Sequence, residues 1–224
     1  MQVVLNTIAV EPNRWTKDKT PARPLTELIG PIADAGFRVI DIWGHHVSRL
    51  SDKELADLAG RIDRAGMVVC RLSTYLTGEC FSEPGADPAR LIERYGALAD
   101  VFHAVSLRVF PGAPWAYKDF TEERWSKTLA AMKDICDRAD AGGMSVGVET
   151  HAGTACDCLD GCLEFHGRMS GRTRFIYQYM ANNPDINHAH VRTLGRYMEA
   201  FHLQDRTADG KSFTPLGAGV IGYA

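Results

Sequence analysis

The feature that most constrains this chain is a regular alternation, from end to end, of short β-type runs with longer helical patterns. Runs rich in β-branched and aromatic residues fall at Val3–Val10, Phe37–Trp43, Val68–Thr74, Val105–Phe110, Ser145–Glu149, Arg174–Tyr179 and Tyr197–Gln204. Helix starts stand between them. Ser51-Asp52-Lys53-Glu54 has the form of a capping box, and Asp87-Pro88 and Asn183-Pro184 each pair an N-cap residue with a first-turn proline. Thr121 precedes Glu122 and Glu123 in the same way. A strand-to-strand spacing of about 30 residues suits a βαβ unit, so the repetition predicts a parallel sheet covered by helices.

Two architectures satisfy that pattern, an open doubly wound sheet and a closed barrel. A doubly wound nucleotide binder carries a Gly-rich turn after its first strand, whereas here the turn reads Glu11-Pro12-Asn13-Arg14-Trp15. The expected fold is therefore an α/β, (β/α) TIM-type barrel, one domain over residues 1–224 that lacks the eighth βα unit. No linker divides the chain, and its tail from Ser212 to Ala224 is Gly-rich. Uncovered edges on the first and seventh strands lead us to expect a homo-oligomer.

The charges, 25 Lys+Arg against 28 Asp+Glu, gather into no block, which argues against a dedicated nucleic-acid or membrane-surface binder. The start, MQVVLNTIAVEPNR, lacks the basic region of a secretory signal, and no apolar run is long enough to span a bilayer. We expect a cytoplasmic protein with a small-molecule partner, and neither nucleic acid nor membrane. Six cysteines in a chain of this length read as reduced thiols. Cys156, Cys158 and Cys162 lack the paired C-x2-C halves of structural zinc sites and are expected to pack. His103, His166, His188 and His190 fall in or at the ends of helices and are expected to be structural or solvent-facing.

In a barrel strand alternate side chains point to the lumen. Within Ser145–Glu149 the valines take the outer positions, leaving Ser145, Gly147 and Glu149 inside, with His151 continuing the parity. The same count puts His202 and Gln204, Asp41, Arg108 and Gln178 inside, all near C-terminal strand ends, where barrel active sites lie. Buried carboxylates are costly unless paired or metal-bound, so Glu149, Asp41 and His202 suggest a divalent cation. The competing account is a hydrogen-bonded polar plug closed by Arg108.

Gly147-Val148-Glu149-Thr150-His151-Ala152-Gly153-Thr154, Ala200-Phe201-His202-Leu203-Gln204-Asp205-Arg206 and Pro215-Leu216-Gly217-Ala218-Gly219 resemble the xylose-isomerase-like TIM-barrel family of sugar phosphate isomerases and epimerases. Ala35–Trp43 and Leu107–Gly112 are similar to its second and fourth strands. The resemblance implies a divalent metal (Mn, Co, Mg or Zn) held by Glu149 and His202. Gln178 stands near the usual aspartate, and the strand-eight glutamate has no counterpart. It also implies proton transfer next to a carbonyl of a sugar or sugar phosphate, with Glu149 as the surviving glutamate and Asp41, water or another chain as its partner. His151 would contact a hydroxyl or orient Glu149. Arg108 and Arg206 would anchor a hydroxyl, carboxylate or phosphate. Asp205 would be a further ligand, an orienting partner of His202, or a salt-bridge partner of Arg206. Trp15, Trp43 and Trp115 lie where they would either wall a sugar pocket or simply pack, and His45 or His46, at the mouth after the second strand, would either reach substrate or be solvated in the loop. The departures at Gln178 and the fourth ligand favour an alternative, a non-catalytic or truncated barrel that binds a polyol or partner protein without turnover. An endonuclease-type role is disfavoured by the net charge of −3.

Overall fold

The computed structural model describes residues 2–16, 19–77, 88–180 and 183–220. Its parallel strands are β1 (Leu5–Asn6), β2 (Val39–Trp43), β3 (Val68–Thr77), β4 (Ser106–Phe110), β5 (Ser145–Glu149), β6 (Arg174–Gln178) and β7 (Met198–His202). Helices α1 (Leu25–Asp34), α2 (Asp52–Arg64), α3 (Pro88–Phe102), α4 (Glu122–Ala141), α5 (Leu159–Arg168) and α6 (Pro184–Leu194) fall between them. The chain forms two compact units. The described part of the first comprises residues 2–16, 19–76, 88–108 and 137–145, and that of the second is mainly 109–136, 146–180 and 183–220.

In the first unit β1, β2 and β3 follow one another in parallel, with Leu5 opposite Ile40 and Val39 opposite Val68. Val105 N–H continues the order by donating to Cys70 C=O at 3.3 Å. Ile40, Ile42 and Leu72 are fully buried under Leu28, Ile29 and Ile32 of α1 and Leu55, Leu58 and Ile62 of α2, the i, i+3, i+4 spacing that gives a helix one apolar stripe. Ser51 and Glu54 complete the capping box, with Ser51 N–H donating to the Glu54 carboxylate at 2.8 Å.

The first strand departs from expectation. Pairing stops after Leu5–Asn6, and Thr7–Val10 winds into a 3-10 turn, because Asn6 Oδ1 accepts the Ile8 N–H at 3.0 Å and bends the chain. The strand expected over Tyr197–Gln204 runs from Met198 to His202, after a 3-10 turn at Gly195–Tyr197.

In the second unit β5 pairs with β6 (Glu149 opposite Ile176) and β6 with β7 (Gln178 opposite His202). The β6–β7 register shifts by one residue, Phe175 facing Met198 and Ile176 facing Ala200, so Glu199 is the extra residue of a bulge. Its carboxylate lies over Gly147, where a Cβ would collide with it and with Ile176. Val148, Phe165 and Phe175 are fully buried on the opposite face. Asn183 caps α6 by accepting the Asp185 N–H at 2.9 Å. After β7 a short antiparallel hairpin forms from β8 (Asp205–Arg206) and β9 (Phe213–Thr214). No helix among the described residues is long and apolar enough to cross a membrane.

Candidate active site

Strand alternation brings Glu149 and His202 together in the second unit. Each ends its strand, Glu149 is 3% exposed, and its Oε1 lies 3.4 Å from His202 Nδ1. That is long for a charge-assisted hydrogen bond but close to the spacing of two donors sharing one cation. Bonds of about 2.1 Å subtending 90–110° put ligand atoms roughly 3.0–3.4 Å apart. The other ring nitrogen, His202 Nε2, is buried with no hydrogen-bond partner among the described residues.

Gln178 sits opposite His202 in register, and Thr150 fixes its backbone. The Thr150 hydroxyl donates to Gln178 C=O and accepts from Gln178 N–H, both at 2.8 Å. His151 turns its Nδ1 onto the Ala152 carbonyl at 2.7 Å, with its ring edge-on to Phe110 at 5.2 Å. A carbonyl can only accept, so Nδ1 carries the proton, and in the neutral ring Nε2 holds the lone pair.

Asp205 has a different occupation from the one expected of a metal ligand. It is 2% exposed, and its oxygens accept the N–H groups of Arg206 (2.9 Å), Gly217 (3.0 Å) and Gly219 (2.9 Å). It folds the Gly-rich segment back on itself, and Gly219 has no space for a Cβ beside that carboxylate. The Arg206 guanidinium donates to Gly210 C=O at 3.1 Å and lies 4.6 Å from the Phe213 ring centroid.

Among the described residues no three of His, Cys, Asp and Glu gather as a cation cage. The donors that fit are Glu149 and His202, with the amide of Gln178 at the adjoining register position. Such a set suits a hard divalent ion that completes its shell with water or substrate oxygens, as magnesium and manganese do. Cys156 and Cys162 pack, whereas Cys158 is half-exposed. Cys156 and Cys162 are fully buried, burial pushes the Cys156 thiol up, and Cys158 caps α5 through its sulfur. Trp115 is covered on one face by the Arg124 guanidinium, 3.7 Å from the ring centroid.

In the first unit Asp41, 1% exposed, accepts from Asn6 Nδ2 at 3.3 Å and pairs with Arg71 Nη1 at 3.5 Å. The expected catalytic carboxylate is thus engaged in a buried ion pair. Trp43 is wholly buried, its Nε1 donating to Tyr75 Oη at 3.1 Å, so it packs in the core and presents no open face to a sugar. The Trp15 side chain lies outside the described residues. Arg108 donates Nη2–H to Thr74 C=O at 2.9 Å, with its guanidinium 5.4 Å from the Tyr75 ring centroid. His45 is packed between Trp43 and Tyr75. His46, the alternative candidate, is buried against Glu11, its Nε2 3.2 Å from Glu11 Oε1 and its Nδ1 3.1 Å from Thr7 Oγ1.

A sequence model of the xylose isomerase-like TIM barrel matches residues 29–224. The chain belongs to that family. The 3-dehydroshikimate dehydratase of Bacillus anthracis is 23% identical over 228 residues, covering 88% of this chain and 78% of its own. Among solved structures, the probable 3-DHS dehydratase involved in petrobactin synthesis from Bacillus anthracis superposes with a TM-score of 0.78 at 18% identity, covering 100% of this chain and 86% of its own. A xylose isomerase-like TIM barrel protein from Mycobacterium smegmatis, solved in complex with magnesium, gives 0.70 at 16% identity, covering 98% and 82%. The fold of this family member is the TIM barrel.

Proposed function

We propose that this protein is an enzyme that moves a proton on the carbon next to the carbonyl of a small polyhydroxylated substrate, as a sugar or sugar phosphate isomerase or epimerase. The observation that carries this reading is the 3.4 Å approach of the Glu149 carboxylate to the His202 ring at the ends of β5 and β7. Glu149 and His202 are the groups that would hold a divalent cation, with the Gln178 amide beside them. Such a cation polarises a carbonyl and stabilises the enediolate. Glu149 removes the proton and, as the acid so formed, returns it, the His151 Nε2 lone pair accepts from a substrate hydroxyl, and Thr150 holds the Gln178 backbone so that the neighbouring strand ends keep their positions.

A second reading, elimination of water from a β-hydroxy ketone, begins with the same proton removal and ends with loss of a hydroxyl group to which a protonated side chain donates. It is favoured by the relation to the 3-dehydroshikimate dehydratase. Non-catalytic polyol binding is the account to which the engaged Asp205 carboxylate lends support.

The test has two parts. Equilibrium dialysis against Mn2+ is expected to leave about one ion per chain, and His202→Gln is expected to weaken retention at least tenfold. A screen of ketoses, their phosphates and 3-dehydroshikimate then reads out the product. An isomer or epimer supports the first reading, and an unsaturated product the second. A protein that retains Mn2+ equally well in His202→Gln and turns over nothing contradicts both.

A further inference from the structure

The turn after β5 fixes a hydrogen-bonding choice that the His151 side chain by itself leaves open. His151 to Thr154 reverse the chain, with Ala152 at negative φ and Gly153, in the third position, at φ +74°, the combination of a type II turn. The central peptide of a type II turn is flipped relative to type I, so it points its C=O to the side where a type I turn points its N–H. Here that C=O belongs to Ala152, and it receives His151 Nδ1–H at 2.7 Å.

The neighbouring residues hold that peptide in place. Thr154, 1% exposed, donates its hydroxyl to His151 C=O at 2.7 Å and accepts the Cys156 N–H at 3.1 Å, closing the reversal from its far end. Ala155 N–H donates to Pro111 C=O at 2.9 Å, which ties the turn to the end of β4. A Cβ on Gly153 would meet nothing closer than the Pro114 carbonyl oxygen, at 3.7 Å. The position therefore asks for glycine through its left-handed backbone and not through crowding.

A peptide that presents a carbonyl to Nδ1 keeps the ring proton there and leaves the lone pair on Nε2. The flipped peptide would present an N–H, which only an unprotonated Nδ1 accepts, and the ring proton would move to Nε2. The orientation of one peptide thus sets whether His151 accepts from a substrate or donates to it.

We propose that Gly153 and Thr154 are positioning residues which, through the Ala152 carbonyl, fix His151 as a hydrogen-bond acceptor and so fit the site to a substrate that offers a hydroxyl at that place, over one that offers a ketone oxygen. The preference for a hydroxyl rests on the proton-transfer reading. The position of the ring proton does not, because it is read with no substrate present.

The test is 15N NMR of the histidine ring nitrogens in Mg2+ at about pH 8.5, above the ordinary histidine range, with the His151 signals identified by their loss in His151→Gln. We expect the wild type to carry the proton on Nδ1. Gly153→Ala, which fits the space but not the backbone, and Thr154→Val, which removes the hydroxyl, are each expected to shift the ratio of the two tautomers about tenfold toward Nε2–H. Gly153→Asn, whose side chain tolerates the left-handed region, and Thr154→Ser are expected to keep the wild-type ratio. A wild-type ring protonated on Nε2 overturns the proposal, as does the wild-type ratio in Gly153→Ala and Thr154→Val proteins whose near-UV circular dichroism is unchanged. In deuterium exchange with a hydroxyl-bearing ketose, the two shifted variants are expected to lose at least tenfold in kcat/KM, and Gly153→Asn to restore it. Shifted tautomers with unchanged kcat/KM refute the preference for a hydroxyl, whereas a wild type that exchanges nothing, with the tautomers as expected, overturns the proton-transfer reading and leaves the positioning roles standing.

Discussion

The Thr150 hydroxyl and the Gln178 backbone are locked reciprocally, one hydrogen bond in each direction at 2.8 Å, joining the ends of two neighbouring strands. Thr150 is 1% exposed, so neither bond has water to replace it. Replacing it with Val keeps the shape and strands one N–H and one C=O. The expected result is a loss of about 1–3 kcal/mol in urea unfolding, together with weaker Mn2+ retention as Gln178 and His202 lose their alignment. Unchanged stability and retention would show that Thr150 positions nothing.

The histidines of the first unit predict how stability depends on pH. Burial, then the charges of Lys19, Arg49, His46 and Arg108, lower the His45 pKa from 6.5 to about 4. Burial also lowers His46, against the opposing pull of Glu11. A histidine whose folded pKa is depressed contributes stability fully above the unfolded value, and that contribution is lost as pH falls toward the folded one. Stability should therefore fall between about pH 6.5 and 4, by about 3 kcal/mol from His45 at most. His45→Gln should flatten this part of the profile in denaturant titrations across that range.

Asp205 separates a fold-holding role from a metal-binding one. Its three backbone bonds close the segment that includes Gly217 and Gly219. Asp205→Ala should speed proteolytic cutting after β8 and lower stability by about 1–3 kcal/mol, with Mn2+ affinity changing less than about twofold. A tenfold loss of Mn2+ affinity in a protein with an intact tail would restore Asp205 to the ligand set.

Glu11 is the hub of the first unit's buried polar chain. It faces His46 Nε2 at 3.2 Å and accepts the Ala22 N–H at 2.8 Å, and Thr7 links the other side of His46 to Trp43 N–H. Glu11→Ala leaves the Ala22 N–H unmet and removes the carboxylate facing His46, and should cost about 1–3 kcal/mol, read as a lower denaturant midpoint.

Much of this was legible in the sequence because it rests on local rules. The capping box at Ser51–Glu54, the Asn183-Pro184 helix start and the period-2 parity that put Glu149 and His202 on one face each follow from a few adjacent residues. Sequence reading missed what depends on contacts distant along the chain. Glu11 reads as a polar turn residue until His46, 35 positions on, is folded against it. Asp205 reads as a ligand until the Gly217 and Gly219 amides claim it. Trp43 reads as a pocket wall by position, yet the Tyr75 hydroxyl and the core enclose it. The first strand was overestimated because its apolar content outweighs the single side-chain bond from Asn6 that ends it.

The central claim is that Glu149 carries the proton in a reaction beside a carbonyl. Its most direct test is deuterium exchange into candidate ketoses and 3-dehydroshikimate in D2O with Mn2+ present, followed by proton NMR for the wild type and Glu149→Gln. The account predicts deuterium at the carbon next to the carbonyl of at least one substrate, and a rate at least a hundredfold lower in the variant. Exchange at the wild-type rate in Glu149→Gln would contradict it.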